Sequence, residues 1–207
     1  YHFNRIRRNI FRIAGIIGGS KPATITTSGV SDDVEQVIFE YVSSAGTYTI
    51  GVDTTSPFTM SWNAANMADG TYTITATAVD LVDLRTSTST TTRVDNTAPV
   101  FNVDYPTEWA QVKGAAVSIR FNGTDAATQI AGTPSVSIDG GAYTAATVWS
   151  NGMGTYSVSM NDGEHTVRIK GTDTAGNAGC SREMHFKVDA TAPTLSITAV
   201  PTPASGS

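Results

Sequence analysis

Apolar and polar residues alternate one by one through much of the chain, as in strands with one buried face. The clearest run is 71–78, where threonines hold the odd positions and the even positions are Tyr72, Ile74, Ala76 and Ala78. The same alternation recurs in short segments separated by turn-forming residues. Its further apolar positions are Val37, Phe39, Tyr41, Phe58, Met60, Trp62, Val117, Ile119, Phe121, Met184, Phe186 and Val188. With no helical period, the pattern predicts an all-β protein.

The chain contains an internal repeat. The segment 69–99 recurs as the segment 162–193, and both begin with Asp-Gly and end with V-D-x-T-A-P. The two starts are 93 residues apart and the two Val-Asp pairs 94 residues apart. This period fits one small all-β domain and is too long for a solenoid repeat.

The repeat divides the 207 residues into two domains with a segment at each end. We predict an N-terminal basic segment or strand at 1–20, domains at 21–97 and 98–190, and a C-terminal segment at 191–207. The last segment is the start of a further unit or a donated strand, because TAPTLSITAVP mirrors TAPVFNVDYP at 97–106. In the linker 96–99, Pro99 has no N–H and restrains Ala98 to extended geometry, which predicts a short, stiff joint.

The chain has a net charge of -5, and its charged residues are unevenly distributed along the sequence. Residues 1–20 carry Arg5, Arg7, Arg8 and Arg12 and no acidic residue, so the remaining residues carry -9. An acidic body repels nucleic acid, and we expect no nucleic-acid partner. Two interpretations of the basic segment remain, a patch for nucleic acid or anionic lipid and a strand or tail with solvated arginines.

Residues suited to catalysis are sparse. The single cysteine, Cys180, leaves no internal disulfide, and His2, His165 and His185 have no metal-ligand spacing with it. The serine-rich runs contain no G-x-S-x-G motif. No apolar run reaches the ~18 residues that a membrane helix needs, so we expect no membrane span. We predict a protein that is not an enzyme.

Seven short strands per unit predict an antiparallel sandwich. The segments VIFEYVSSAGTYTIGVDTTSPFTMSWNAANMADGTYTITATAVD with VDNTAP, and DGEHTVRIKGTDTAGNA with VDATAP, resemble the Big-type Ig-like repeats of bacterial and archaeal cell-surface proteins and adhesins. The resemblance covers residues 21–193 and implies two tandem immunoglobulin-like β-sandwiches. It also implies a corner where a tyrosine bonds back to the preceding turn. The first unit has Tyr72 there, whereas the second has His165.

Four aspartates are predicted to meet where the two units join. In a sandwich of this topology, Asp69 lies in a lower turn of the first unit, Asp95 in the linker, and Asp125 and Asp173 in upper loops of the second. Calcium prefers such oxygen ligands, so we predict an interdomain calcium site. The alternative is that Asp69 and Asp173 stabilise turns and Asp95 accepts backbone hydrogen bonds near the proline.

Two tryptophans are candidates for sugar binding. Trp109 lies in the loop TEWAQVKG and Trp149 borders the glycine-rich SNGMG. Exposure of both on one face would favour a glycan-binding surface, whereas burial would mean that they cover one end of the sandwich.

The sequence therefore favours a non-enzymatic extracellular protein of the cell surface, a stalk, adhesin or filament subunit. Its partners would be other copies of itself or neighbouring Ig-like repeats, with surface glycans or other cells as further candidates. Strand-like segments at both ends, 9–17 and 194–200, also allow subunits to associate by strand exchange. The alternative function is a carbohydrate-binding or accessory module of a secreted enzyme.

Overall fold

The computed structural model describes residues 10–13, 15–18 and 22–198, which form two groups of strands. Domain 1 contains β1 (Ile10–Ile13), β2 (Ala23–Ser28), β3 (Val34–Ser43), β4 (Gly46–Asp53), β5 (Thr59–Trp62), β6 (Gly70–Asp80) and β7 (Arg85–Val94). Domain 2 contains β8 (Val100–Tyr105), β9 (Ala110–Lys113), β10 (Ala116–Thr124), β11 (Ile130–Ile138), β12 (Thr144–Ala145), β13 (Val148–Ser150), β14 (Met153–Ser159), β15 (Gly163–Asp173), β16 (Ala178–Cys180) and β17 (Met184–Asp189).

Each domain has two sheets. In domain 1 the strand orders are β1-β2-β5 and β4-β3-β6-β7, with antiparallel pairing throughout both. In domain 2 they are β13-β14-β10-β8 and β12-β11-β15-β17-β9, with β16 also paired to β15. Strand β9 runs parallel to β17. In domain 1 the corresponding parallel pairing is a single bridge between Ile17 and Val94.

The predicted alternation of buried and exposed residues is confirmed, and each sandwich has its own core. In β6, Tyr72, Ile74, Ala76 and Ala78 are buried, whereas the threonines between them face outward. The largest fully buried side chains are Phe39, Ile25, Ile74 and Val37 in domain 1, and Phe121, Phe186, Ile119 and Ile169 in domain 2. The described residues form no helix, and hence none capable of spanning a membrane. The all-β class and the tandem sandwiches are thus as predicted.

The two end segments differ in how much of them is described. Strand β1 pairs with β2, and Ile17 bridges Val94, so the described part of the N-terminal segment packs on domain 1. Its Arg5, Arg7 and Arg8 lie outside the described residues. Residues 191–198 form no strand, and the rest of the C-terminal segment is not described. The predicted C-terminal strand therefore stays a prediction.

The two domains close the same corner with different side chains. Tyr72 donates its hydroxyl hydrogen to the carbonyl oxygen of Ala68, 2.9 Å away. In domain 2, His165 Nε2 lies 3.0 Å from the carbonyl oxygen of Asn161, which is also four residues back. Histidine thus preserves the corner bond that its substitution for tyrosine had put in doubt.

The other ring nitrogen of His165, Nδ1, lies 2.8 Å from a carboxylate oxygen of Asp139. Both neighbours of the ring accept hydrogen bonds, and only the protonated imidazolium can donate to both at once. The hydrogen bond to Asp139 raises the pKa of His165, assisted by the bond to Asn161, while burial acts in the opposite direction.

We therefore expect domain 2 to lose stability as the pH rises. A folded-state pKa above the unfolded value of ~6.5 gives a contribution that is complete below ~6.5 and lost as the pH passes the folded pKa. Because the Asp139 side chain is 49% exposed, we expect a loss of about 1 kcal/mol, the size of a partly exposed ion pair. Urea unfolding between pH 5.5 and 8.5 measures it. The His165→Tyr variant, which copies domain 1, should remove that part of the pH dependence, and an unchanged pH profile would contradict this assignment.

Candidate metal centre

The linker between the domains begins with a buried carboxylate. Asp95 follows β7, and its backbone N–H donates to the carbonyl oxygen of Ile17 at 2.9 Å, which fixes the end of domain 1. The residue is fully buried. Its Oδ1 accepts a hydrogen bond from the N–H of Thr97 at 3.0 Å. Its Oδ2 is buried and has no hydrogen-bond partner among the described residues.

Domain 2 contributes two carboxylates from neighbouring loops. Asp125 follows β10, and its Oδ1 accepts the N–H groups of Ala127 and Thr128 at 2.9 and 2.6 Å. Its Oδ2 is buried, again without a partner in the described part of the chain. Asp173 ends β15 and is 2% exposed. These loops face domain 1 because β10 and β15 end on the same side of the sandwich.

The turn after β15 holds Asp173 in place. Oδ1 of Asp173 accepts the N–H groups of Gly176 and Asn177 at 2.6 and 2.8 Å. Its Oδ2 lies 2.8 Å from Nδ2 of Asn177. The carboxylate therefore faces the junction in a fixed orientation.

Oxygen atoms of Asp95, Asp125 and Asp173, the aspartate triad, all lie within 4.8 Å of one another. No lysine or arginine forms an ion pair with the triad within the described residues. Clustered buried carboxylates are costly unless a positive charge offsets them. The donor set consists of oxygen alone, as Ca²⁺ prefers, and the two unpartnered oxygens remain available as ligands. The arrangement thus fits a divalent cation.

Uncharged contacts also cross the junction. Nδ2 of Asn177, in domain 2, lies 2.9 Å from the carbonyl oxygen of Asp95 and 3.3 Å from that of Thr97. A Cβ atom at Gly18 would lie 1.8 Å from the carbonyl oxygen of Asp95 and 2.7 Å from Cβ of Ala175. Only glycine permits this close approach of domain 1 to the turn.

Family models match both halves of the chain. The model described as bacterial Ig-like domain matches residues 114–190, and the one described as bacterial Ig domain matches residues 17–76. The chain carries two bacterial Ig-like domains. The recognition made from the sequence is confirmed. No curated protein matches the chain.

Solved structures similar to the two Ig-like domains are distant in sequence. The fibronectin(III)-like modules of Clostridium thermocellum CbhA are 21% identical over 87% of this chain and 94% of that chain, with a TM-score of 0.46. The tetra-tandem repeat in the extending region of a large adhesion protein is 22% identical over 89% of this chain and 50% of that chain, with a TM-score of 0.37. The present chain thus spans half of that repeat structure.

Three of the four predicted metal ligands meet between the Ig-like domains, and Asp69 does not join them. Both of its carboxylate oxygens bind the linker instead. Oδ1 accepts the N–H of Asn96 at 2.6 Å, and Oδ2 accepts the hydroxyl of Thr97 in a short hydrogen bond. Asp69 therefore stabilises the linker that leads to the triad and is not a member of the triad. The interdomain calcium site itself stays a prediction.

Sequence reasoning missed Asn177 as a junction residue. Asparagine is common in turns for purely local reasons, so its presence after Gly176 does not by itself indicate a contact across the junction. A signal was nevertheless present in the sequence. The first Ig-like domain has Leu84 at the end of the corresponding turn, so asparagine is not required by the turn itself.

The two candidate tryptophans have different surroundings. Trp149 lies on β13, is half-buried, and stacks on the core residue Phe121 with ring centroids 5.8 Å apart. Trp109 precedes β9 in the loop at the edge of the other sheet and is 66% exposed. It stacks on His185 at 4.8 Å and has a positive φ of 60°. A glycan surface would therefore depend on Trp109, while Trp149 belongs to the packing of domain 2.

Proposed function

We propose that the chain is a two-domain segment of an extracellular structural protein, a stalk, adhesin or filament of the cell surface. It acts by its shape and not by catalysis. The observation that supports this best is the aspartate triad, which draws on both domains. An ion bound at the triad would contact both domains and would fix the orientation of one domain relative to the next.

The proposed ion is calcium. Asp95 would supply a ligand from domain 1, and Asp125 and Asp173 would supply ligands from domain 2. Neighbouring backbone carbonyls and water would complete the six to eight oxygens that calcium takes. When bound, the ion offsets the three negative charges. Extracellular modules bind calcium with dissociation constants of roughly 10⁻⁴–10⁻³ M, which suits a location outside the cell.

The chain's own residues prepare the joint before any ion binds. Asp69 accepts hydrogen bonds from the linker, and Asn177 lies within hydrogen-bond distance of two linker carbonyls. Pro99 restrains the linker to extended backbone. The ion would add the last constraint, and repeating such a joint along an array gives a long spacer of fixed shape.

Small-angle X-ray scattering of the intact chain, with calcium and with a chelator, tests this function. If calcium stiffens the joint, its addition should narrow the distribution of interatomic distances in the protein and leave the maximum interatomic distance unchanged. The chelated protein should show a broader distribution, as two sandwiches that move about a short linker. Identical curves in the two conditions, with calcium binding demonstrated by calorimetry, would contradict the role as a calcium-stiffened spacer.

Association with other copies is a further part of the proposal. Residues 191–198 form no strand here, and Leu195 and Ile197 are 90% and 89% exposed. Alternating exposed apolar residues suit a strand that completes a sheet, either of a following Ig-like unit or of another copy. Neighbouring Ig-like repeats are therefore the partners that the segment favours.

The carbohydrate-binding alternative is supported by Trp109 alone. Its exposed indole is held against the His185 ring, and the nearby Glu108 forms an ion pair with Arg182 at 3.0 Å. A flat aromatic surface beside polar groups suits stacking on a sugar. Because Trp149 packs on the core, this surface is smaller than the one predicted from the sequence.

A further inference from the structure

The same hydrogen bonds hold the chain where it leaves each Ig-like domain. After domain 2, Asp162 accepts hydrogen bonds from the N–H of Ala190, at 2.6 Å, and from the hydroxyl of Thr191. Oδ1 of Asp189 accepts the N–H of Thr191 at 3.1 Å. The linker that follows domain 1 is held by the same three bonds. Asp189 therefore corresponds to Asp95 of the aspartate triad.

The last strand of each domain also has the same parallel neighbour. Val112 pairs with Val188 in domain 2, and Ile17 bridges the equivalent residue of domain 1. The residues that follow are Lys113 in domain 2 and Gly18 in domain 1. Domain 2 therefore has a lysine at the position where domain 1 has the glycine that packs against its neighbour.

An open cavity of about 440 Å³, the exit cavity, lies between residues 111–114 and 189–193 of domain 2. Lys113 and Asp189 line the exit cavity, and both residues are exposed. Their counterparts in domain 1 are covered at the junction by the turn 173–177 of domain 2. The exit cavity is therefore the place where a turn of this kind can bind.

Domain 1 has a turn of the same kind at residues 80–84, the apolar turn. The N–H of its first residue donates to the carbonyl oxygen of its last residue at 3.1 Å, and the same bond closes the turn 173–177 at 3.0 Å. In both turns the fourth residue has a positive φ. The third and fifth residues, which contact the neighbouring domain at the junction, are Val82 and Leu84 in the apolar turn.

The apolar residues of the apolar turn are open to solvent. Leu81, Val82 and Leu84 are 75%, 75% and 63% exposed. Asp33 and Asp80 line a shallow concavity beside Leu84. Exposed apolar residues that are grouped in this way mark a contact surface.

The apolar turn and the exit cavity are complementary in charge. Asp80 is the first residue of its turn, as Asp173 is at the junction, and it would approach Asp189 if the turn entered the cavity. No third carboxylate is present, because the residue that follows β2 is Gly29, where Asp125 follows β10. The ammonium group of Lys113 can offset the two carboxylates, so this contact needs no metal ion.

The two surfaces are also complementary in size. At the junction, Gly18 lets Ala175 come close to the backbone of domain 1. The side chain of Lys113 holds an incoming turn further from the backbone, and Val82 is larger than the alanine that it replaces. The methylene groups of the lysine provide an apolar surface for such a residue.

We propose that the apolar turn of one copy of this protein binds the exit cavity of a second copy. The contact repeats the junction between the two domains, with Val82 and Leu84 in the cavity and Lys113 between Asp80 and Asp189. In the part of the chain that the structure describes, one such turn is exposed and one such cavity is open, so copies associate head to tail. The inference rests on the proposed association of copies and names the two surfaces that meet.

Sedimentation velocity of the intact chain in chelator, measured over a wide range of protein concentration, tests the proposal. Wild type should sediment faster as its concentration rises. We expect Leu84→Ser and Lys113→Glu each to weaken association about tenfold or more, because one removes an apolar anchor and the other places like charges together. Val52→Ser and Lys170→Glu are the matched controls. Val52 is 48% exposed on β4, and Lys170 lies on β15 outside the exit cavity.

Mixing the two variants distinguishes head-to-tail binding from a symmetric contact. Leu84→Ser keeps an intact exit cavity, and Lys113→Glu keeps an intact apolar turn. An equal mixture should therefore form dimers that neither variant forms alone, and no longer species. A symmetric contact between two apolar turns would instead persist in Lys113→Glu by itself, which would contradict the proposal.

Three further results would overturn this docking. The first is a wild type that stays monomeric at every concentration. The second is association that requires calcium, because Lys113 then does not replace the ion. The third is association that Leu195→Ser abolishes and Leu84→Ser leaves intact, which would assign it to strand exchange through residues 191–198. None of these results bears on the calcium-stiffened junction, which X-ray scattering tests in the dilute monomer.

Discussion

Replacing Asp125 with asparagine should abolish the stabilisation of this protein by calcium. Oδ2 of Asp125 is one of two buried carboxylate oxygens that have no hydrogen-bond partner within the described part of the chain, and asparagine offers no charge there. At calcium 100-fold above its dissociation constant, wild type should gain about 2.7 kcal/mol. For domains of this size that corresponds to a rise of about 10 °C or more in melting temperature. The variant should show almost none of it, as measured by differential scanning calorimetry.

The sign of the effect without calcium distinguishes a ligand from a structural residue. In chelator, wild type holds three carboxylates whose oxygens lie within 4.8 Å of one another, and removing one charge relieves repulsion. Asparagine also keeps the oxygen that accepts the N–H groups of Ala127 and Thr128. We therefore expect Asp125→Asn to melt no lower than wild type in chelator, and lower than wild type in calcium.

Asp83→Asn is the matched control for this experiment. Asp83 lies in a turn of domain 1, outside the triad, and its side chain is 82% exposed. The control should respond to calcium as wild type does. If Asp125→Asn is destabilised equally in calcium and in chelator, Asp125 has only a role in its loop and the metal proposal fails.

Much of the architecture could be predicted because it depends on local pattern. Alternation in 71–78 fixes which face of β6 is buried, and the repeated Asp-Gly and TAP segments set the two domains. Three of the four junction aspartates were also predictable, since the strand order of a sandwich decides at which end each loop lies. Strand order therefore locates a loop residue to within one end of a domain.

The remaining features depend on side-chain direction, which strand order does not determine. Asp69 lies at the predicted end, but its carboxylate binds the linker, where it accepts the N–H of Asn96 and the hydroxyl of Thr97. Asn177 reaches across the junction only because Gly18 allows close approach. At His165 the corner bond survives a change of residue, since the imidazole nitrogen reaches the carbonyl of Asn161, four residues back, as the Tyr72 hydroxyl reaches that of Ala68.

The core of domain 2 provides the second large expected effect. Phe121 is 1% exposed, and its ring stacks on Trp149. It also packs directly on Gly154, where a Cβ atom would lie 2.1 Å from the ring. The equivalent residue of domain 1 is Ile25, and there β5 stands beside β2 in the place of β14. Phe121 and Gly154 therefore form a complementary pair that specifies the packing of domain 2.

Replacing Phe121 with alanine should cost domain 2 about 3–5 kcal/mol, because it removes a fully buried ring and leaves a cavity. A domain of this size has only ~5–15 kcal/mol of total stability. Calorimetry in chelator should then show two transitions, with that of domain 2 moved far down and that of domain 1 unchanged. Phe121→Leu, a smaller truncation, keeps the effect measurable if the alanine variant does not fold.

Met153→Ala is the matched control, because it truncates a large side chain that is exposed and not buried. Met153 precedes Gly154 on β14 and is 64% exposed, so its loss should change stability by less than ~0.5 kcal/mol. Because the two domains have separate core clusters, we expect each domain to unfold independently of the other. If Phe121→Ala lowers both transitions equally, the domains unfold as one unit even in chelator. The joint would then be stiff without any ion, and the aspartate triad would not be needed to hold the two sandwiches together.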